Sequence, residues 1–485
     1  MIKSKIEIHD KFSVVIDITY DKLFKKKVSE YTTITYLFIS DSLNINDKTY
    51  PGTKFYNDVR LFLKYDTPNY TLDDINSGDN ALVKTLEMNA ELFIKNNSDK
   101  NHAQFTDQMK MFVSTVSGLL REEIFSLIRR KEIPDEDISK FLDKINAILS
   151  DFRTIITTIK ESSVKEKNKT VVLYADEHLS NVIELQLTKL LNHLQNKKYK
   201  MDRLDAIVSL IDAEQKYKKQ KHYNSPKDKN VKPEDFLFKR NQLKKYIENV
   251  FFLNQDIRKD GALLEQTLLA LAAGMAMVFS TGIAFYYQQM YGNFTTPFFI
   301  ALVVGYMLKD RIKGFFGLLF IRRSSSMFYD YKINITSSLG KKIGVIKENF
   351  VFVPLKKLGA KVKKYRQVDL VVKRDTEFLD EHVIQYKKKI TIYPKKFDSD
   401  LPDEKIVGLT DITRLNFHRF IQYMDDPTKD YILIKKGAVY NKVADKIYHI
   451  NIIQKYYTEE GIEFNRYCVK MNRNGIKRVD KIKLE

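Results

Sequence analysis

The sequence predicts an α+β membrane protein in four parts: a small N-terminal α+β unit, a bundle of long helices, a two-helix transmembrane hairpin and a C-terminal, mainly antiparallel β domain. Three observations predict it. Gln266 to Leu308 holds no Asp, Glu, Lys or Arg across 43 residues, in a chain that is 30% charged. Before that stretch, apolar residues recur three and four apart over long runs. After it, their period drops to two. The expected boundaries are 1–75 for the small unit and 76–260 for a cytoplasmic bundle that runs into the membrane. The hairpin with an interfacial segment takes 261–323, and a basic, β-rich cytoplasmic domain takes 324–485.

In the small unit, Ile6 and Ile8 alternate, as do Val14, Ile16 and Ile18, and Tyr31 to Ser40 is rich in β-branched and aromatic residues. These are strand signals. Helical pieces are expected at Asp21 to Val28 and at Phe55 to Lys64, around a turn-rich segment ending in Pro51-Gly52.

The bundle is clearest at Ile138, Phe141, Ile145, Ile148, Phe152, Ile155 and Ile159, a heptad seam opened by Pro134 and an acidic first turn. Phe105, Met109, Phe112, Val116, Leu119 or Leu120, and Phe125 draw a stripe one helix earlier. Leu179, Ile183, Leu187, Leu190 and Leu194 draw another one later. Stripes this narrow pack on one another, as an antiparallel bundle or as a coiled-coil seam between subunits. Lys216 to Lys232 is polar, basic and reads as a mobile loop. Pro233-Glu234-Asp235 opens a helix expected to continue through Phe251 and Phe252 into the membrane, bending at Gly261. Such a helix would couple the bundle mechanically to the hairpin.

A spanning helix needs about 20 apolar residues to cross roughly 30 Å of hydrocarbon. Thr267 to Tyr287 reads as the first crossing, Gln288 to Thr296 as the turn and Pro297 to Leu308 as the core of the second. Phe294 to Leu308 supplies only 15 uncharged residues, several Å short, which snorkelling by Lys309 and local thinning would absorb. Tyr286, Tyr287 and Tyr291 suit a headgroup layer. Small residues four apart (Ala270 and Gly274, Ala272 and Ala276, Ser280 and Ala284, Ala301 and Gly305) would let the two helices approach closely, or let copies associate as a homo-oligomer. Basic residues flank both crossings (Lys239, Arg240, Lys244, Lys245, Arg258 and Lys259 before, Lys309, Arg311, Lys313, Arg322 and Arg323 after), and the turn carries none. The positive-inside rule then puts both termini in the cytoplasm of an inner (plasma) membrane protein with two spans. Ile312, Phe315, Phe316, Leu319 and Phe320 form an interfacial segment or the tail of the second helix. Glu265 is expected at the level of Lys309 and Arg311, where a Glu265–Arg311 pair would staple the helix ends.

In the last part, Tyr331, Ile333 and Ile335 alternate, as do Ile343 and Val345, Val351 and Val353. Strands are also expected at Val383 to Tyr393, in a hairpin from Tyr431 to Val443 turning at Lys436-Gly437, at Ile447 to Tyr457, and in a second hairpin across Asn472 to Gly475. A single helix is expected near Ile412 to Met424. Lys309 to Glu485 carries 38 Lys and Arg against 22 Asp and Glu, which fits anionic lipid beside the membrane, with nucleic acid as the alternative partner. A protein partner is a further expectation.

Cys468 is the only cysteine, so an internal disulfide or a cysteine-based zinc site is excluded, as in a reducing compartment. Its place in an alternating run makes it a core residue. The N-terminus lacks the apolar core and cleavage site of a secretory signal. The sequence shows no phosphate-cradling glycine loop, no paired histidine motif and no nucleophile elbow, and it identifies no cofactor, catalytic residue or metal site. Asp176-Glu177-His178 reads as helix surface, because successive helical residues diverge in direction. Asp380-Glu381-His382 reads as an exposed strand start. Arg414, His418 and Arg419, on the expected C-terminal helix, are candidate ligand-binding residues for phosphate or a nucleotide. The functional expectation is a non-enzymatic membrane anchor or sensor. Two alternatives are an oligomerising, membrane-disrupting effector of a defence system and a membrane-tethered enzyme or nucleic-acid binder using the basic domain.

Overall fold

The computed structural model of the protein describes residues 2–21, 27–66, 70–76, 81–197, 199, 201–224, 232–293, 295–325, 328–337, 340–367, 381–398, 408–435, 437–458 and 461–484. It is a mixed α+β structure with antiparallel sheets. One sheet has four strands in the order β1 (Ile2–Asp10), β2 (Ser13–Asp21), β9 (Gly408–Asn416) and β4 (Val59–Tyr65). The other has eight, in the order β14 (Gly475–Ile482), β13 (Gly461–Asn472), β12 (Tyr448–Thr458), β3 (Ser29–Ser40), β8 (Glu381–Ile392), β7 (Lys342–Phe352), β6 (Tyr331–Thr336) and β5 (Asn254–Lys259).

Both sheets combine the two ends of the chain. Tyr36 on β3 lies opposite Ile453 on one side and Gln385 on the other, and β9 lies between β2 and β4. The separation of a 1–75 unit from a 324–485 domain therefore does not describe the β structure. The reason is burial. Val14, Ile16, Ile18 and Tyr20 share one core with Leu37, Ile39, Ile390 and Ile450, so the smaller sheet covers the larger. The opposite face of β3 packs Ile34, Tyr36 and Phe38 against Leu358 and Val362, residues at and beside α11 (Ala360–Gln367). A strand covered on both faces reads as the continuous apolar run seen at Tyr31 to Ser40.

The bundle is built from α3 (Ala81–Lys95), α4 (Asp99–Arg129), α5 (Asp135–Glu161), α6 (Thr170–Asn196), α7 (Met201–Gln220) and α8 (Pro233–Glu248). All seven residues of the heptad seam are buried on α5, and Phe152 stacks on Phe112 of α4 with ring centroids 5.5 Å apart. Leu179, Ile183, Leu187, Leu190 and Leu194 are buried on α6. In the α4 stripe both Leu119 and Leu120 are buried, whereas Phe125 is 54% exposed beneath the Arg129 guanidinium.

Several expected elements differ. The helix expected from Phe55 ends at Asp58, in α1 (Gly52–Asp58), and Val59–Tyr65 is β4, held by pairing with β9. Asp21 belongs to β2; residues 22–26 lie outside the described residues. The stretch from Lys216 is helical as far as Gln220, because the buried Lys218 ammonium donates to Asn181 (2.9 Å) and Glu184. Residues 225–231 lie outside the described residues. The helix opened by Pro233 stops at Glu248; a 3-10 turn (Asn249–Phe251) and β5 follow. No continuous helix joins the bundle to the hairpin, since the backbone of β5 is engaged by β6. Gly261 does mark the bend, with φ +73° at the start of the next helix. The β hairpin expected at Tyr431 to Val443 is a two-stranded ribbon, β10 (Thr428–Lys435) and β11 (Ala438–Asp445), with every residue exposed. Gly437 turns it at φ +76°. The second hairpin pairs Asn472 with Gly475.

Candidate functional site

The feature that stands apart from both the helical bundle and the sheets is a pair of helices, α9 (Ala262–Tyr291) and α10 (Thr296–Ser325), inserted between the paired strands β5 and β6. Its base is clamped to the edge of the large sheet. Lys259 lies opposite Tyr331, Asp260 N–H donates to the Asp330 carbonyl at 3.3 Å, and Lys347 Nζ meets Asp260 Oδ2 at 3.0 Å. A Cβ on Gly261 would lie 2.7 Å from the Phe328 ring, so glycine is required there by both space and φ.

The helices pack antiparallel through small residues. Ala272 and Ala276 are fully buried, Ala301 is 6% exposed, and the Gly305 Cβ position lies 3.4 Å from Ser280 Oγ. Gly317 is buried against Leu269. Of the expected packing residues, Ala301 and Gly305 thus lie in the seam. Ala270 and Gly274 do not: they are exposed, with nothing within 4 Å of a Cβ at Gly274. Two residues along a helix is about 200° of rotation, so the Ala272–Ala276 row and the Ala270–Gly274 row cannot face the same partner.

The same contacts fix the register. Interpolating between Gly305 beside Ser280 and Gly317 beside Leu269 puts Lys309 level with about Met277 and Lys313 level with about Ala273. Four charges on α10 (Lys309, Asp310, Arg311 and Lys313) therefore stand beside the middle of α9. Glu265 is level with about residue 321, far from Arg311, which is exposed. Its carboxylate accepts instead from Lys259 Nζ at 2.8 Å. The Glu265–Arg311 staple is overturned by geometry, because residues meet in a helical hairpin at equal distances from its turn. Ile312 to Phe320 continue α10 as its tail. Among the described residues, one helix, α9, is long and apolar enough to cross a membrane, and 11% of its most apolar stretch is buried.

Elsewhere the structure separates the candidate ligand-binding residues. Arg414 lies on β9, between β2 and β4, and pairs with Asp10. The helical turn begins only at His418 (His418–Ile421). His418 packs edge-on against Phe12 at 5.1 Å, and Arg419 Nε bonds Asp58 Oδ2 at 3.1 Å. Residues expected to share a helical face are thus divided between a strand and a turn, and both arginines have acids. Glu381 pairs with Arg366, and His382 Nε2 lies 2.7 Å from Asp41 Oδ1; Asp380 lies outside the described residues. Cys468 is buried, which pushes its thiol up. Among the described residues no group of three His, Cys, Asp or Glu side chains could hold a metal ion.

The largest departure concerns Asp176, Glu177 and His178, which are 1%, 4% and 3% exposed. α6 is the central helix of the bundle, packed by α4, α7 and α8, and its residues 175–183 are all buried. Asp176 accepts from Tyr217 and Tyr223 hydroxyls at 2.7 and 2.8 Å. Glu177 pairs with Lys239 at 2.7 Å. Arg153 forks onto the buried Glu214 at 2.8 and 2.9 Å, and Ser180 adds a third donor. One sequence signal pointed inward: Thr170 to Thr188 contains no Lys or Arg, in a chain with 82 of them. Comparison of the chain with protein-family models, curated proteins and solved structures gives no match.

Proposed function

We propose that the chain is a non-enzymatic membrane anchor, held in the bilayer by α9 and α10 with the bundle and the β sandwich together on one face. One observation carries the reading: an apolar sleeve. Val278, Phe279 and Phe285 on α9, with Phe299, Ile300, Tyr306 and Met307 on α10, are 45–74% exposed. A soluble monomer rarely leaves so continuous an apolar surface in water.

The register of the two helices supports a shallow depth. A charge at mid-bilayer costs about 2.5–3.5 kcal/mol on insertion scales, and α10 carries four between 309 and 313. The embedded part is therefore the tip, from about Met277 to Leu308, roughly 20 Å deep at 1.5 Å per residue. Lys309, Arg311 and Lys313 then lie at the near headgroup layer. The base half, which mixes Leu263, Leu271, Phe315 and Leu318 with those charges, suits the interface, where both are tolerated. Basic residues on both flanks favour the cytoplasmic face of a plasma membrane and contact with anionic lipid.

Single cysteines placed in a Cys468→Ala background test this. The chain should stay in the membrane pellet after alkaline extraction. Cysteines at Val278 and Val303 should resist a water-soluble thiol reagent, while those at Leu263 and Leu318 react. Release into the supernatant overturns the anchor; protection at Leu263 and Leu318 overturns the shallow depth.

A further inference from the structure

A cleft of about 350 Å³ opens between α4, α6 and α8. Its lining includes Arg121, Lys189, Arg240 and Lys244, four cations against the single acid Glu248. Glu248 is engaged by Arg121 Nη2 at 2.6 Å and lies 3.9 Å from Lys244 Nζ. Lys189 and Arg240 have no acid within ion-pair distance among the described residues. The floor of the cleft holds His178, 3% exposed, with neither ring nitrogen hydrogen-bonded. On the same helix Asp176 and Glu177 both have partners, so His178 departs from its neighbours. A buried polar group without a partner forfeits its hydration and gains nothing in return. Burial first, then the charges of Arg121, Lys244 and Arg240, hold the His178 pKa down to about 4. The imidazole is therefore neutral at pH 7, offering one N–H donor and one acceptor.

We infer that this cleft is a binding site for a phosphate group carried by a small molecule or a lipid headgroup. A phosphate oxyanion accepts hydrogen bonds from several directions at once, matching the Arg and Lys side chains that line the cleft from α4, α6 and α8. The His178 N–H supplies a further donor. The volume holds a phosphate with a modest organic body. The inference stands on the bundle alone and does not depend on the membrane reading.

The test titrates pyrophosphate into the full-length chain in uncharged detergent, followed by calorimetry. A second arm replaces pyrophosphate with phosphatidic acid in mixed micelles. Binding of either probe is expected. The double substitution of Lys189→Ala with Arg240→Ala, neither of which is fully buried, should weaken it tenfold or more while the circular dichroism and melting curves stay unchanged. Binding of pyrophosphate identifies a soluble source; binding of phosphatidic acid alone, with the same loss in the double variant, identifies a headgroup. No binding of either probe, or binding that the double variant retains, overturns the site.

Discussion

His178 shows how far one residue's chemistry depends on its surroundings. As part of an Asp-Glu-His run it looks like surface; on the central helix of the bundle it is a buried base beside three cations. Its pKa of about 4 in the folded chain lies below the roughly 6.5 of an unfolded histidine. Between those values the unfolded state binds more protons, so stability falls as pH drops from about 6.5 to 4. The contribution lost is on the order of 3 kcal/mol. Denaturant unfolding at pH 7 and pH 4.5 should show a steeper loss for the natural chain than for a His178→Gln variant. Equal losses in the two proteins would mean that the imidazole takes up its proton in the folded state. Arg414 and Arg419 make the complementary point. Each has a carboxylate partner, Asp10 and Asp58, that is distant in sequence and invisible to spacing arguments.

At the scale of elements, the α9–α10 pair rests on which small-residue row faces inward. Gly305 is buried against Ser280 and Gly274 is open. A Gly305→Ile substitution should wedge the helices apart, at a cost on the order of the 1–3 kcal/mol typical of overpacking. Gly274→Ile should be close to neutral or slightly stabilising, because glycine in a helix interior costs about 1 kcal/mol relative to a good helix former. Melting of the two variants in detergent distinguishes the rows; equal effects would mean that the register is wrong. The spacing of four identified both rows, but it could not choose between them, since both repeat identically along the helix.

For the whole molecule, the consequence of the sheet order is that the C-terminal 160 or so residues do not make a self-contained sheet. β3 supplies the strand between β12 and β8, and β2 and β4 flank β9. A fragment of residues 324–485 should therefore lack cooperative unfolding and dispersed amide resonances. Adding residues 1–66 in trans should restore both. A fragment that folds alone would show that β12 and β8 can pair without β3. The hairpin belongs to this scale too. It is the elaborated connection of β5 to β6 at one edge of the large sheet, held there by the Asp260–Asp330 backbone bond and by Phe328 against Gly261.

Patterns that repeat along the chain were legible in the sequence. The α5 seam and the strand alternation from Tyr331 onward follow from local periods of 3.6 and 2, which sterics fix residue by residue, and the two tight β turns and the long uncharged stretch follow from local composition. Lost to the sequence was everything set by partners far away in the chain. Val59–Tyr65 became a strand because β9 was there to pair with it. Asp176 to His178 became interior because α6 lies at the centre of the bundle. The charges of α10 came to stand beside the middle of α9 because the turn, not the charges, sets hairpin register. The cleft around His178 draws on Arg121, Lys189 and Arg240 from three helices, and no spacing rule joins positions more than a hundred residues apart. Burial and pairing between distant segments are long-range free energies, and only the tertiary structure decides them.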